Sequence, residues 1–333
     1  MKLVLNYLSF VASGIVFGPW LLRRRRYDAI FVYAPSPLLQ AIPALFLGYL
    51  KRTKVMVWVQ DLWPESLAAT GYVRNAFALQ CVEHVVRFIY RRTDLLLVQS
   101  QAFKQNVGKL APGKPIVYYP NSVDAIFSGG SYVVLPELPL PGNGFSVVFA
   151  GNVGVGQAVE VIVGAADLLR EHTDISFVVF GKGSRWEWME QEVRERGLTN
   201  LHMPGRFPVE MMPGVMRKAS VLLVTLADEA IFAATVPNKV QAYMAVGKPI
   251  IASLNGEGAR LVMEAGAGLA VPAEDPAALA EAVLRIARMS VAEREQMGRN
   301  GRVFFKQHFD HDSLIDQLIV YFSDTADFAG EMQ

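Results

Sequence analysis

Ten short apolar runs, alternating with helical stretches, constrain this chain more than any other feature. AIFVYA (Ala29 to Ala34), KVMVWVQD, LLLVQS and IVYYPNSVD come first. FSVVFAGN, ISFVVFGKG, LHMPGRFP, SVLLVT, KPIIAS and GLAVP follow after a break. Runs apolar at nearly every position suit strands buried on both faces, and their alternation with helices suits parallel sheets. The break, SGGSYVVLPELPLPGNG at 128–144, is dense in Gly and Pro, lacks helical periodicity and reads as a linker. A chain of 333 residues has room for two domains of ordinary size. The expected fold is α/β with two doubly wound domains: 1–130, a linker at 131–144, and 145–310.

Net charge narrows the partners. Lys and Arg total 32 against 31 for Asp and Glu, a formal charge of +1, so the chain as a whole has no footprint for nucleic acid. A single cysteine, Cys81, makes no internal disulfide, and the five histidines show no metal-binding spacing. The expectation is a protein of the reducing cytoplasm with no metal. The stretch LVLNYLSFVASGIVFGPWLL, from Leu3 to Leu22, precedes Arg23, Arg24, Arg25 and Arg26. As a span it is barely long enough and is interrupted by Asn6, Ser9, Ser13, Gly14, Gly18 and Pro19. As a signal peptide it carries its charge on the wrong side. A helix on the membrane surface, with arginines at anionic headgroups, fits better, while a buried core helix and a true span stay open.

Open parallel sheets bind ligands beyond the carboxyl ends of their strands. GNVGVGQ, from Gly151 to Gln157, follows a strand as a nucleotide loop would. It is not the G-x-G-x-x-G fingerprint, and ISFVVF runs into Gly181 and Lys182 with no acidic residue placed for a ribose, which argues against a dehydrogenase. TVPNKVQAYMAVGKPIIAS sets a helix between two apolar runs. Pro237 pre-sets a helical φ and Asn238 is a good capping residue. The first turn and the Lys239 ammonium then suit a phosphate-bearing ligand, although strand, loop and capped helix recur in every α/β protein.

Together QDLWPES, PNSVD, FAGNVGVGQ, FGKGSR, LHMPGRFP, VPNKVQAY and GAGLAVPAEDPAALAEAV resemble the retaining glycosyltransferases of family 4, which have the GT-B fold of two facing Rossmann-like domains. Within that family the chain is most similar to the WbuB-type amino-sugar transferases of bacterial O-antigen and surface-polysaccharide assembly. The resemblance implies a UDP-sugar donor held by the second domain, an acceptor held by the first, and neither cofactor nor obligatory metal. It implies donor contacts from Gly151, Asn152, Gly154, Gln157, Gly181, Lys182, Arg206, Phe207, Asn238, Lys239 and Gln241. Asn238, Lys239 and the 151–157 loop would face the diphosphate, and the GRFP turn the uracil. The last stretch, 311–333, would return as a helix to the first domain.

Departures from the pattern are specific. Many relatives carry two glutamates eight apart, where this chain has Ala233 and Gln241; Asp228 or Glu229 in the preceding loop is the substitute, with Glu229 taken as catalytic. Where many relatives place a histidine near the acceptor, this chain has Asp61, which can accept a hydrogen bond from a hydroxyl or take its proton. Its alternative role is to cap the next helix, and Glu65 is read as structural or orienting. The family's opening strand, glycine-rich turn and helix precede the segment matching NYLSF, so the first domain is expected to be truncated at its N-terminus. The implied activity is transfer of an N-acetylated amino sugar, with retention, from UDP to a lipid-diphosphate-linked glycan. That places the protein on the inner face of the cytoplasmic membrane, attached through the segment from Leu3 to Arg26. A non-catalytic nucleotide-sugar-binding module is the alternative; a sugar-nucleotide epimerase lacks its Tyr-x-x-x-Lys pair.

Overall fold

A computed structural model describes residues 2–69, 71, 73–129 and 144–327. The chain divides into two compact units, the first comprising 1–120 with 312–333 and the second 121–311.

The first unit opens with α1 (Lys2–Leu21), which packs on α2 (Ala41–Lys51). Its sheet holds β1 (Ala29–Ala34), β2 (Lys54–Val59), β3 (Leu95–Val98) and β4 (Ile116–Tyr118), all parallel and in sequential order. Right-handed crossovers in such an order put every connecting helix on one face. These helices are α2, α3 (Glu65–Ala69), α4 (Ala76–Arg92) and α5 (Gln101–Leu110). Asn75 and Ser100 start the last two by accepting the N–H of Ala78 and of Ala102, the usual N-cap contact. The other sheet face carries Phe31, Met56, Trp58, Leu97 and Tyr119, and Leu314, Leu318 and Phe322 of the final helix pack onto it. Tyr119 Oη fixes that helix by donating to Leu314 O at 2.9 Å. Among the described residues β1 pairs on one side alone.

The second unit begins at Asn121, ahead of the linker expected from the sequence; most of that linker lies outside the described residues. Short side-chain bonds explain the early boundary. Asn121 Nδ2 donates to Asn238 Oδ1 at 2.9 Å and Ser122 Oγ to Phe309 O at 2.7 Å, which tie 121–128 and its helix α6 (Ala125–Ser128) to the second core. The sheet runs β10 (Gly268–Val271), β9 (Ile250–Ser253), β8 (Val221–Thr225), β5 (Phe145–Ala150), β6 (Ile175–Phe180), β7 (Leu201–Gly205), parallel throughout. Every residue of β5, β8 and β9 is buried, as their unbroken apolar runs require. The helices are α7 (Glu160–Leu168), α8 (Trp186–Arg196), α9 (Met212–Lys218), α10 (Ala230–Ala234), α11 (Asn238–Val246), α12 (Glu257–Glu264), α13 (Pro276–Arg288) and α14 (Val291–His308). They cover both faces, and α15 (His311–Asp327) follows. Strand order reverses between β5 and β8, which marks the carboxyl ends of these strands as the place for a ligand.

Candidate functional site

Three strands of the second unit meet glycine at their carboxyl ends, Gly151 just after β5, Gly181 just after β6 and Gly205 as the last residue of β7, and these ends are stitched edge to edge. Gly151 N donates to Phe180 O at 2.8 Å, and Gly181 N to Gly205 O at 2.9 Å. Gly181 has φ +146, and a Cβ there would lie 1.7 Å from Gly151 O; no other residue fits without moving backbone. Gly151, with φ +141, is crossed by the Lys239 stem, whose Cε would lie 2.5 Å from a Cβ. The result is a floor of bare backbone at the strand ends.

Above this floor α11 presents Lys239, Ala242 and Tyr243, spaced to share one helical face. Tyr243 Oη accepts from Ala150 N at 3.2 Å and lies 3.3 Å from Leu223 O, pinning the helix to β5 and β8. The hydroxyl is fully buried and its pKa is raised by that burial, so it stays protonated. Lys239 differs. Its ammonium stands 3.7 Å above the Phe149 ring centroid, is buried, and has no hydrogen-bond partner among the described residues. Burial alone lowers its pKa to about 7. A buried amine without a counter-charge gives up its proton rather than bear the desolvation cost, and an anion placed beside it would reverse that.

The helix start differs from the sequence expectation. Pro237 occupies the N-cap position with an extended ψ of 133° and no side-chain cap, so Asn238 is the first helical residue and caps nothing. Its Oδ1 is held by Asn121 instead. The first turn is therefore left without a side-chain acceptor; Val240 N donates to Pro237 O at 2.9 Å, and the N–H groups of Asn238 and Lys239 are the ones left to the helix start.

These pieces line one cavity of about 1010 Å³, wholly within the second unit. It takes in Gly151, Asn152, Gly181, Lys182, Arg206, Phe207, Asn238 and Lys239 of the donor residues inferred from the sequence. Phe207 meets Phe180 edge-on, ring centroids 5.3 Å apart, which gives a flat apolar wall. Gly154 and Gln157 are not in the lining. Gln157 Oε1 accepts from Asn152 Nδ2 at 2.8 Å and Gly154 is packed between the two side chains, so both shape the loop that presents Asn152. Gln241 is fully buried, neither end of its amide has a partner among the described residues, and it too is outside the lining. Glu229 is exposed at the start of α10 and outside it as well; Asp228 accepts from Asn255 Nδ2 at 2.7 Å. Sequence reading missed Ser122, Asp124, Phe127, Glu210 and Tyr243. Tyr243 was detectable as the residue four after Lys239, whereas Ser122 and its neighbours depend on the boundary at Asn121.

The first unit has its own polar cluster beyond β2. Asp61 is half-buried, and burial raises its pKa against the lowering effect of hydrogen bonds from the Ser66 and Trp63 side chains and the Leu62 backbone. These bonds tie the Asp61 carboxylate to the turn that leads into α3. The buried Tyr90 hydroxyl has its pKa raised by desolvation and by the nearby charges of Glu65 and Asp61. Tyr90 Oη, Gln60 Nε2 and Gln99 Oε1 are buried with no partner among the described residues. Buried polar atoms are normally paired, and these three are exceptions in the unit that holds Asp61. Among the described residues, no three His, Cys, Asp or Glu side chains gather to hold a metal ion.

Against known structures the arrangement is recognisable. The fold is that of the GT-B glycosyltransferases. The HepE protein of Anabaena, in complex with UDP, superposes with a TM-score of 0.75 at 13% identity, covering 93% of this chain and 82% of that one. Sucrose-phosphate synthase of Thermosynechococcus elongatus gives 0.76 at 18% identity, covering 96% and 78%. Residues 144–289, most of the second unit, match the family described as "Glycosyl transferases group 1". Among curated proteins, the "Probable glycosyltransferase WbjE" of Pseudomonas aeruginosa is 26% identical over 302 residues, spanning 87% of this chain and 74% of the relative. The "Putative colanic acid biosynthesis glycosyl transferase WcaI" of Escherichia coli K12 is 21% identical over 263 residues, 74% of this chain and 62% of the relative. The family pattern thus falls on the unit that holds Lys239.

Proposed function

We propose that this protein is a retaining, metal-independent glycosyltransferase of the WbuB type in family 4. It moves an N-acetylated amino sugar from UDP to a lipid-diphosphate-linked glycan in bacterial O-antigen or other surface-polysaccharide synthesis. The observation that carries the reading is a large cavity at the strand ends whose lining includes Lys239, with an ammonium that is buried and has no hydrogen-bond partner among the described residues. A diphosphate supplies the missing charge, and the start of α11 adds the positive end of a helix dipole. Similar folds have been solved with UDP, with UDP and glucose, and with UDP-glucose, which supports a UDP-sugar donor.

The chemistry follows from where charge develops. As the glycosidic bond to UDP breaks, negative charge gathers on the diphosphate, and fixed cations and N–H groups stabilise it without the reorganisation that water would need. An acceptor hydroxyl attacks the anomeric carbon from the face that UDP leaves, and its proton passes to a phosphate oxygen. Asp61, made more basic by burial, orients that hydroxyl. The lipid-linked acceptor places the protein at the inner face of the cytoplasmic membrane, reached through the segment from Leu3 to Arg26.

The neutral Ala233 and Gln241 favour a second reading, a nucleotide-sugar-binding module without transfer. One screen separates the two. Purified protein is offered a panel of UDP-sugars, with and without a lipid-diphosphate glycan, and UDP release is followed. Acceptor-dependent release from a UDP-amino sugar is the expected result. Binding without release, across donors and acceptors, leaves only the module.

A further inference from the structure

The second unit holds a further cavity, of about 310 Å³, at the opposite end of its sheet. Ser220 stands just before β8, and Lys248 and Pro249 just before β9. The cavity described above lies beyond the carboxyl ends of the same parallel strands, so both can be filled at once. α14 supplies the rest of the wall. Glycine brings it in close: a Cβ on Gly298 of α14 would lie 2.2 Å from Gly247 O, and a side chain there would push the helix off the turn that carries Lys248.

The lining sets Lys248, Arg294, Arg299 and Arg302 against one carboxylate, Glu295. Part of this charge is spent within the unit. Arg294 Nη1 donates to Ile286 O, Ala287 O and Met289 O at 3.3, 3.1 and 2.8 Å, and Arg302 Nη2 donates to Val246 O at 2.8 Å. Both arginines thus serve the carbonyl end of a helix, as basic side chains often do. Glu295 pairs with Arg299 at 3.5 Å. These bonds account for one nitrogen of Arg294 and one of Arg302, and for nothing on Lys248. Lys248 is half-buried and, among the described residues, makes neither a hydrogen bond nor an ion pair. Burial lowers its pKa, Glu295 opposes that, and the charge of Arg294 lowers it again. Like charges crowded in a partly desolvated place repel, and a bound anion offsets that cost.

We propose that this cavity is a second anion site, which takes the dianionic phosphate group of inorganic phosphate or of a small phosphomonoester. The planar guanidinium forks of Arg294 and Arg302 match paired phosphate oxygens, and Lys248 adds a point charge between strand and helix. A volume of about 310 Å³ is at the small end of ligand pockets, which suits a compact anion better than a whole nucleotide. The ligand is therefore additional to the sugar donor.

The test is calorimetric titration of the full chain with inorganic phosphate at constant ionic strength. Because Lys239 also attracts phosphate, the comparison is made on Lys239→Met. That chain should still bind phosphate, and loss of all binding would assign the ion to the other cavity and overturn the proposal. Adding Lys248→Gln should weaken binding roughly tenfold or more, with an unchanged melting temperature in phosphate-free buffer as the check on folding; unaltered affinity sinks the site. Glu295→Gln should act the other way and tighten binding about twofold to fivefold, as the one opposing carboxylate goes. Weaker binding in that variant counts against the proposal, since a merely structural cluster has no reason to give effects of opposite sign. Chloride should not compete at equal ionic strength; equal competition would show counterion screening alone. A hexose phosphate separates the two sources of the group. Displacement of phosphate by it supports a phosphomonoester ligand, and failure to displace supports the inorganic ion.

Discussion

Lys239 in the second unit and Asp61 in the first are both ionisable groups taken out of water, and the structure treats them in opposite ways. Burial favours the uncharged form of each, lowering the lysine's pKa and raising the aspartate's. Asp61, however, receives bonds from Ser66, Trp63 and Leu62, whereas Lys239 meets an aromatic face and, among the described residues, no acceptor. The comparison teaches that burial alone does not fix a group's state: bonds within its own unit offset part of the shift at Asp61 and complete that site, whereas nothing among the described residues does so for Lys239, whose site is open.

The largest effect should come from the completed site. Asp61→Asn keeps the bulk and most of the bonding but is neither base nor anion, and transfer should fall by about 10² or more with UDP affinity unchanged in calorimetry. Unaltered turnover would reduce Asp61 to a cap. Lys239→Met attacks the open site. UDP affinity should fall by roughly ten- to a hundredfold, as for a charge-assisted contact of about 1.5–3 kcal/mol. Thermal stability without ligand should hold or rise, since an uncompensated buried amine has gone. A loss of stability with no loss of affinity would break the contrast.

The same lysine sets a pH signature. Its folded pKa of about 7 lies below the unfolded value, so between the two the unfolded chain binds more protons and the group's contribution to stability grows as pH rises through about 7. UDP binding does the opposite. It restores the proton, so affinity should weaken above pH 7 by up to about tenfold per unit, with proton uptake measurable in buffers of different ionisation enthalpy. Lys239→Met should abolish both slopes. The smallest effect belongs to Tyr243→Phe, which removes the hydroxyl between β5 and β8 and should cost about 1 kcal/mol in a denaturant melt; no cost would mean that packing alone holds α11.

The strands were legible because a parallel sheet buried on both faces needs continuous apolar runs, and FSVVFA fills β5 from Phe145 to Ala150 with every residue buried; AIFVYA fills β1 from Ala29 to Ala34 too, although that strand is only partly buried and Tyr33 is exposed. Glycines at strand ends marked the floor of the cavity for a similar reason: local backbone geometry admits little else. What stayed hidden depends on long-range pairing. Asn238 looks like a cap in isolation, and only Asn121, 117 residues away in sequence, gives it another task. Gln157 sits in a loop that reads as ligand-binding, yet its amide is spent on Asn152. The unit boundary at Asn121 was masked by the more conspicuous Gly- and Pro-rich stretch, because composition reports chain stiffness and says nothing of which core a segment joins.

The return of α15 to the first sheet has a consequence on the ribosome. Phe31, Trp58 and Tyr119 are synthesised early, but the helix that covers them begins at His311. At about 5–20 residues per second, the intervening second unit delays that cover by roughly 10–40 s. The first unit to emerge is therefore the last to close, and its aromatic sheet face stays open to chaperones for most of translation.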